Sequence, residues 1–524
     1  MEIMYQSTRR SGTKVTASQA ILKGLADDGG LFVPERFPKF EVPLGKLGEM
    51  SYQETAYEVM RLFFTDFTEE ELRACINGAY DKKFDTPVIA PLVRADEAGA
   101  CAPSRTGSSV SAGMDSASVN GGAGENAWYL ELFHGKTIAF KDMALSILPY
   151  LMTTAAKKNG VKNEIVILTA TSGDTGKAAL AGFADVPGTS IIVFYPKDGV
   201  SPIQKKQMVT EPGKNTMVVG VDGNFDDCQT GVKNIFNNKE LAERMDTAGY
   251  QFSSANSINI GRLVPQIVYY VYSYGQLLKN GAITAGEQMD VVVPTGNFGN
   301  ILAAYYAKQI GLPVGTLYCA SNENKVLFDF FGSGTYDRKR EFILTSSPSM
   351  DILISSNLER LIYKIAENDP DRTAAFMKQL TGEGEYTITD EMRRELAGFV
   401  GGFATEVETA REIAEVYERT GYVLDPHTAV ASFVCRNKAN AAEIPTVVAS
   451  TASPYKFTRS VMKAIDEGKY SDMEDFALVD ELHRISGVEI PEAIETIRTA
   501  AVVHDTVCGT GEMQQVVEAK LGIS

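Results

Sequence analysis

Apolar positions in this chain change their spacing several times, and each change marks an element. Over 18–25, 51–64 and 68–80 they recur every three or four residues, which predicts helices. Thr68 followed by Glu69, Glu70 and Glu71 reads as an N-cap with an acidic first turn. The run Asp27-Asp28-Gly29-Gly30 is a turn signal, and Pro34 ends the short strand after it. From 128 onward, short β-branched runs at 164–168, 190–196, 217–221 and 290–294 alternate with helical patterns. Those helices are expected near Gly176, over 225–245 and over 301–310. A further strand is expected over 445–450, and amphipathic helices over 358–368, 390–403, 406–419 and 490–500. Strands interleaved with helices at this spacing predict an α/β fold with doubly wound, mainly parallel sheets. Ligands of such sheets sit beyond the C-terminal ends of the strands, so the loops there are the candidate sites.

One stretch breaks the pattern. From 97 to 127 the chain is dominated by Ala, Ser and Gly, with almost no large apolar residue. It cannot bury enough surface to offset its ordering entropy, and it reads as a surface insertion. The sole tryptophan, Trp128, marks the return to packed structure. At 524 residues the chain is too long for one core. A net charge of -17 disfavours nucleic acid and anionic membrane surfaces as partners. No run of about 20 apolar residues and no apolar leader stand in the sequence, so a cytoplasmic protein is expected. The six cysteines are scattered without a CxxC pair, and the four histidines lack metal-ligand spacing. No metal site is expected.

Chemistry concentrates in four places. In Ala139-Phe140-Lys141-Asp142 a lysine stands between an aromatic residue and an aspartate, just where an apolar helical pattern begins. Desolvation disfavours an ammonium, and a neutral amine can attack an aldehyde, the chemistry of a Schiff-base lysine. Thr169-Ala170-Thr171-Ser172-Gly173-Asp174-Thr175-Gly176-Lys177 follows a strand and opens a helix, offering hydroxyls and free amides to a carboxylate or phosphate. A nucleotide P-loop is excluded there, because Thr171 stands where its first glycine belongs and Ala178 follows the lysine. Thr295-Gly296-Asn297-Phe298-Gly299-Asn300 lies between a strand and a helix, and its glycines let the backbone approach an anion. Thr451, at the end of the 445–450 strand, offers a neutral hydroxyl that could accept from or donate to a ring nitrogen.

These motifs, in this order, resemble the threonine synthases of the longer microbial and fungal type, within the tryptophan-synthase-β-like group of pyridoxal phosphate enzymes. The resemblance also covers Tyr5-Gln6-Ser7-Thr8-Arg9, Gly24 with Leu25-Ala26-Asp27-Asp28-Gly29-Gly30-Leu31, Phe133-His134-Gly135, Ser254-Ala255-Asn256-Ser257-Ile258-Asn259 and Arg262-Leu263. It implies the two-domain arrangement of fold-type II pyridoxal phosphate enzymes. Residues 1–96 would pack on the catalytic domains, and 97–127 would be the insertion. Residues 128–260 would form a smaller α/β domain with Lys141 and the substrate loop, and 261–524 a larger one with the cofactor phosphate loop and a helical end. It implies that Lys141 holds pyridoxal 5'-phosphate as a Schiff base and moves protons at substrate Cα and Cβ. Gly296, Asn297, Phe298 and Asn300 would hold the cofactor phosphate, with Gly299 allowing the close turn, and Thr451 would face the pyridine nitrogen. Ser172 and Thr175 would bind the substrate carboxylate, and Arg262 the substrate phosphate. The implied activity is that of a carbon–oxygen lyase acting on phosphate, converting O-phospho-L-homoserine and water to L-threonine and phosphate in the last step of threonine biosynthesis. Two positions depart from many relatives: Lys136 stands where they have proline, and Ser453 where they have histidine.

Overall fold

The computed structural model describes residues 2–10, 12–98, 127–171, 173–200, 202–439 and 443–523. The insertion expected at 97–127 falls, apart from its ends, outside the described residues, as does Ser172. Among the described residues two sheets carry the fold. One has six strands in the order Phe399–Phe403, Val314–Ser321, Met289–Pro294, Thr446–Ser450, Ala127–Glu131 and Leu92–Arg94. All its pairs are parallel except the last. The other has five parallel strands in the order Val507–Gly509, Thr216–Asp222, Thr189–Pro196, Glu164–Ala170 and Tyr250–Ser253. Thr189–Pro196 and Met289–Pro294 are buried along their whole length, as parallel strands covered on both faces should be. The expected α/β class with mainly parallel sheets is therefore observed. No helix of the described residues is long and apolar enough to cross a membrane.

The sheets assemble strands that are far apart in sequence. Ala127–Glu131, a few residues before Lys141, joins strands near 290 and 446, while Val507–Gly509 adds to the sheet built from 164–222. The 20-residue helix Ile260–Lys279, nearly all buried, packs beside the six-stranded sheet's helix Gly299–Gln309 and the N-terminal helix Tyr52–Phe63. Asn259 starts this long helix: its side-chain oxygen accepts from Gly261 N at 2.9 Å, and its Nδ2 donates to Ile21 O and Ser254 O at 3.0 Å. The N-terminal segment is thereby pinned to the head of the helix. A second pin is Arg360, fully buried, which donates to Phe32 O at 3.0 Å and to Ile258 O at 2.6 Å.

Three periodicity readings differ from the structure for local reasons. The helix expected over 225–245 is two helices, Phe225–Asn237 and Lys239–Thr247. Asn238 lies between them with extended backbone, and its side chain caps the second by accepting from Leu241 N at 3.1 Å. The pattern over 390–403 yields only the short helix Asp390–Arg394, followed by the strand Phe399–Phe403. Gly401 and Gly402 weaken a helix there, and a Cβ on Gly402 would lie 2.5 Å from Val434. The helix from Leu358 stops at Ile365, because Glu367 and Asn368 both adopt positive φ. The capping signal at Thr68 is realised as a full capping box with Glu71.

Because Asn238 both breaks one helix and starts the next, Asn238→Ala should remove a cap worth about 1 kcal/mol. Amide hydrogen exchange over 239–247 should quicken several-fold, with 225–237 little changed; unchanged exchange over 239–247 would show that the cap is not what holds this boundary.

Candidate functional site

Parallel register places three loops at one edge. Ser450 pairs with Glu131, so the strands Thr446–Ser450 and Ala127–Glu131 end together. The two loops that leave them stay side by side: Leu132 N donates to Ser450 O at 2.9 Å, Phe140 N to Thr451 O at 2.8 Å, and Ser453 N to Ile138 O at 3.0 Å. The structure thus sets Thr451 one hydrogen bond from the residue preceding Lys141. Asp142 tightens the turn from within: it accepts from Thr137 N at 2.7 Å and from Thr137 Oγ1 at 2.6 Å. A Cβ on Gly135 would meet its carboxylate at 2.5 Å, so the turn has room only for glycine.

Lys141 is buried, with its Nζ 5.0 Å from the Phe140 ring centroid. The amine donates to Ser349 Oγ at 3.0 Å and stands 3.5 Å from Asp174 Oδ2. Burial pushes its pKa down from the ordinary lysine value; Asp174 opposes this, while Lys456 and Arg262 add to it. Asp174 begins the helix Asp174–Phe183 from the end of Glu164–Ala170. The loop before it is shaped by Thr171, whose hydroxyl accepts from Gly173 N at 2.9 Å and Gly176 N at 3.0 Å. Four groups converge on the Asp174 carboxylate. Gln204 Nε2 donates at 2.9 Å, Ser349 Oγ at 3.1 Å, and Lys456 Nζ lies at 3.2 Å, with Lys141 the fourth. Burial would raise this carboxylate's pKa, but Lys456 and Lys141 together hold it well below the usual range.

The loop at 296–300 faces the same place through Ser349. Gly296 packs against the Ser349 carbonyl so closely that a Cβ would come within 2.4 Å of it. Asn297 O accepts from Asn357 N at 3.1 Å and from Asn357 Nδ2 at 3.0 Å, and Gly296 O accepts from Ser355 Oγ at 2.7 Å. Phe298 takes a left-handed backbone at φ 63° and buries its ring beside Phe331 and Phe399. The helix Gly299–Gln309 therefore starts without a side-chain cap, leaving first-turn amides and the dipole's positive end for an anion. Asn300 adds a donor. Its Oδ1 accepts from Tyr269 at 2.7 Å and also from Tyr270, while its buried Nδ2 has no partner.

Arg262, in the first turn of Ile260–Lys279, is a third buried cation. It donates to Ala255 O at 2.9 Å, its Nε has no partner, and among the described residues no carboxylate pairs with it. Burial lowers its pKa to about 10. Thr175 is partly exposed in the first turn after the Asp174 loop. Of the residues expected at a site, Lys141, Thr451, Arg262 and the 296–300 loop are brought together. Lys136 lies exposed, and Ser453 is a buried turn residue whose Oγ accepts from Tyr455 N at 3.3 Å.

The sequence reading missed four contributors. Ser349 lies in the single-turn 3-10 helix Pro348–Met350, too short to show a periodicity. His427 supports it: Ser349 N donates to Nε2 at 3.2 Å, so the neutral ring carries its proton on Nδ1 and gives it to Asp425 at 2.7 Å. Gln204 lies on a helix that the pattern left unassigned. Lys456 had one legible signal, a lysine between two aromatic residues, Tyr455 and Phe457.

The arrangement sets a buried amine, Lys141, near two groups of buried donors, the first-turn amides and Asn300 Nδ2 at 296–300 and the Arg262 guanidinium. Three family models match the chain. "Threonine synthase N terminus" covers 4–80, "Pyridoxal-phosphate dependent enzyme" covers 115–453, and "Threonine synthase, C-terminal" covers 428–507. The chain is 38% identical over 460 residues to threonine synthase-like 1 of Macaca fascicularis, which is 86% of this chain but 58% of that protein's length. It is 35% identical over 516 residues to threonine synthase of Saccharomyces cerevisiae, covering 92% of this chain and 93% of the relative. The crystal structure of a PLP-bound threonine synthase from Brucella melitensis superimposes with a TM-score of 0.83 at 33% identity, covering 99% of this chain and 98% of that one.

Gly296 gives a direct test of the cradle's packing. Gly296→Ala drives a methyl into the Ser349 carbonyl and should cost about 1–3 kcal/mol in urea unfolding. Gly332→Ala, with nothing within 4 Å of its Cβ, should be neutral or stabilising. Equal effects would mean that the 296–300 loop is not clamped as described.

Proposed function

Because the chain belongs to the threonine synthase family of pyridoxal-phosphate-dependent enzymes, we propose that it converts O-phospho-L-homoserine and water to L-threonine and inorganic phosphate. The reaction is that of a carbon–oxygen lyase acting on phosphate and would close threonine biosynthesis. The observation that carries the reading is a buried amine, Lys141, near two buried donors without protein partners, Asn300 Nδ2 and Arg262 Nε. A cofactor phosphate and a substrate phosphate are the two anions this activity requires.

The residues fit pyridoxal phosphate. Gly296, Asn297, Phe298, Gly299 and Asn300 would hold its phosphate, and the orphaned Asn300 Nδ2 supports this choice. Lys141 would bond its aldehyde carbon, and Thr451 would face the pyridine nitrogen. When bound, the cofactor supplies an electron sink that acidifies the substrate's Cα and then its Cβ. The chain's own residues do the rest. Lys141 would carry protons from Cα and Cβ and return protons to Cγ and Cα. Over the whole reaction the Cγ–O bond to phosphate breaks and water's oxygen bonds to Cβ. Arg262 would bind the departing phosphate, since a guanidinium matches a phosphate with two donors. Thr175 and Ser172 would bind the substrate carboxylate at the head of the Asp174–Phe183 helix. That helix ends a five-stranded sheet strand while Lys141 hangs from the six-stranded sheet, so closure of one sheet layer on the other would exclude water until the last addition. A cytoplasmic location belongs to the same reading, and the five free cysteines of the described residues suit a reducing compartment.

The test is product analysis with purified protein supplied with pyridoxal phosphate and O-phospho-L-homoserine. Threonine and phosphate should form one to one, and Lys141→Ala should lose at least about 10³-fold in turnover, the scale of an acid–base contribution, while keeping its fold. A cofactor-loaded chain that releases no phosphate, yet yields ammonia and a keto acid from threonine, would overturn the substrate assignment.

A further inference from the structure

Two lysines, not one, bear on the Asp174 carboxylate. Lys456 lies in the turn Pro454–Phe457, just beyond Thr451, and its side chain is fully buried. Its Nζ stands 3.2 Å from Asp174 Oδ1 and donates to Thr137 O at 2.7 Å. Lys141 takes the other oxygen, Oδ2, at 3.5 Å. Asp174 is thus shared edge to edge, with Gln204 supporting Oδ1 and Ser349 supporting Oδ2. Other charged and polar groups surround the pair. Arg262 acts on Lys141 with the same sign. Asp142, which Lys456 also influences, spends both oxygens on Thr137. Lys177 is paired with Glu211 and acts on Lys456's side of the cluster. The His427 ring is held by Asp425 at Nδ1 and by Ser349 N at Nε2.

We propose that Lys456 is a positioning residue that competes with Lys141 for the Asp174 carboxylate and so leaves the Lys141 amine free to exchange its proton. A buried amine beside one carboxylate forms a tight pair and stays an ammonium, a poor base and no nucleophile. A second ammonium on the same carboxylate takes up that charge and repels a proton from the first. The sharing also anchors Asp174 from the Thr451 loop, so the carboxylate keeps its place when Lys141 is engaged elsewhere. This extends the assignment of Lys141 as the reactive amine, but its test reads the amine itself and needs no turnover.

The experiment is competitive acetylation of the full chain, freed of bound small molecules by dialysis against hydroxylamine. Labelling of Lys141 is followed against pH by peptide mass spectrometry. In the parent, Lys141 should label with a midpoint below that of exposed lysines. Lys456→Gln should raise the Lys141 midpoint by about one pH unit, the size of shift a neighbouring charge produces, and Lys456→Arg should restore the parent value. The same change should carry into catalysis. Only the neutral amine accepts a proton, so a raised pKa moves the rising limb of the kcat profile to higher pH. A purely structural Lys456 would instead lower activity at every pH and leave the midpoint unmoved, and that result in folded Lys456→Gln overturns the proposal. Should Lys456→Gln fail to fold, Lys456→Met serves: it removes the same charge with an apolar side chain of similar length and should raise the Lys141 midpoint likewise, and an unmoved midpoint in that folded variant overturns the proposal.

Discussion

Three buried cations with a single carboxylate among them set the terms for this structure. An ammonium or guanidinium removed from water needs an anion, and breaking such a pair in the interior is expensive. Asp174 serves both Lys141 and Lys456, and Arg262 has only a carbonyl. The centre therefore carries an excess of positive charge and unused donors, in a protein whose net charge is -17. That local surplus is what a small, multiply charged anion would satisfy, and it would let an acidic protein accept the phosphorylated substrate proposed above.

Everything around the cluster keeps its members at hydrogen-bond range. Lys141 hangs from the six-stranded sheet and Asp174 from the five-stranded one, so the cluster bridges the two layers. Ser349 joins both to the 296–300 loop, and Asp425 with His427 fixes Ser349. Arg360 and Glu359 extend the tie outward. Arg360 reaches Phe32 and Ile258, and Glu359 accepts from Thr8 at 2.5 Å and from Arg9 at 2.7 and 2.8 Å. The N-terminal segment is thus bonded to the stretch that buttresses the anion loop, which gives its sequence motif a physical purpose.

The parts of this arrangement that were legible in the sequence are those with local causes. β-branched runs at 164–168 and 290–294 announced buried parallel strands, and glycines at 296 and 299 announced a tight turn into the helix Gly299–Gln309. Lys141 stood out by its apolar and aromatic neighbours. Period alone misled where one residue ends a helix, as at Asn238, or where glycines turn a periodic stretch into an edge strand, as at Gly401 and Gly402. Ser349, His427 and Lys456 were invisible for another reason. Their roles depend on partners 208, 78 and more than 280 residues away in the chain, and no local pattern encodes such pairings.

The central claim is that Lys141, among several buried lysines, is the amine that engages the cofactor. It is tested most directly by loading the protein with pyridoxal phosphate, reducing with borohydride and mapping the modified peptide. The account predicts a single stable adduct on Lys141, with neither Lys456 nor Lys177 modified. An adduct on Lys456 or Lys177, with Lys141 free, would contradict it.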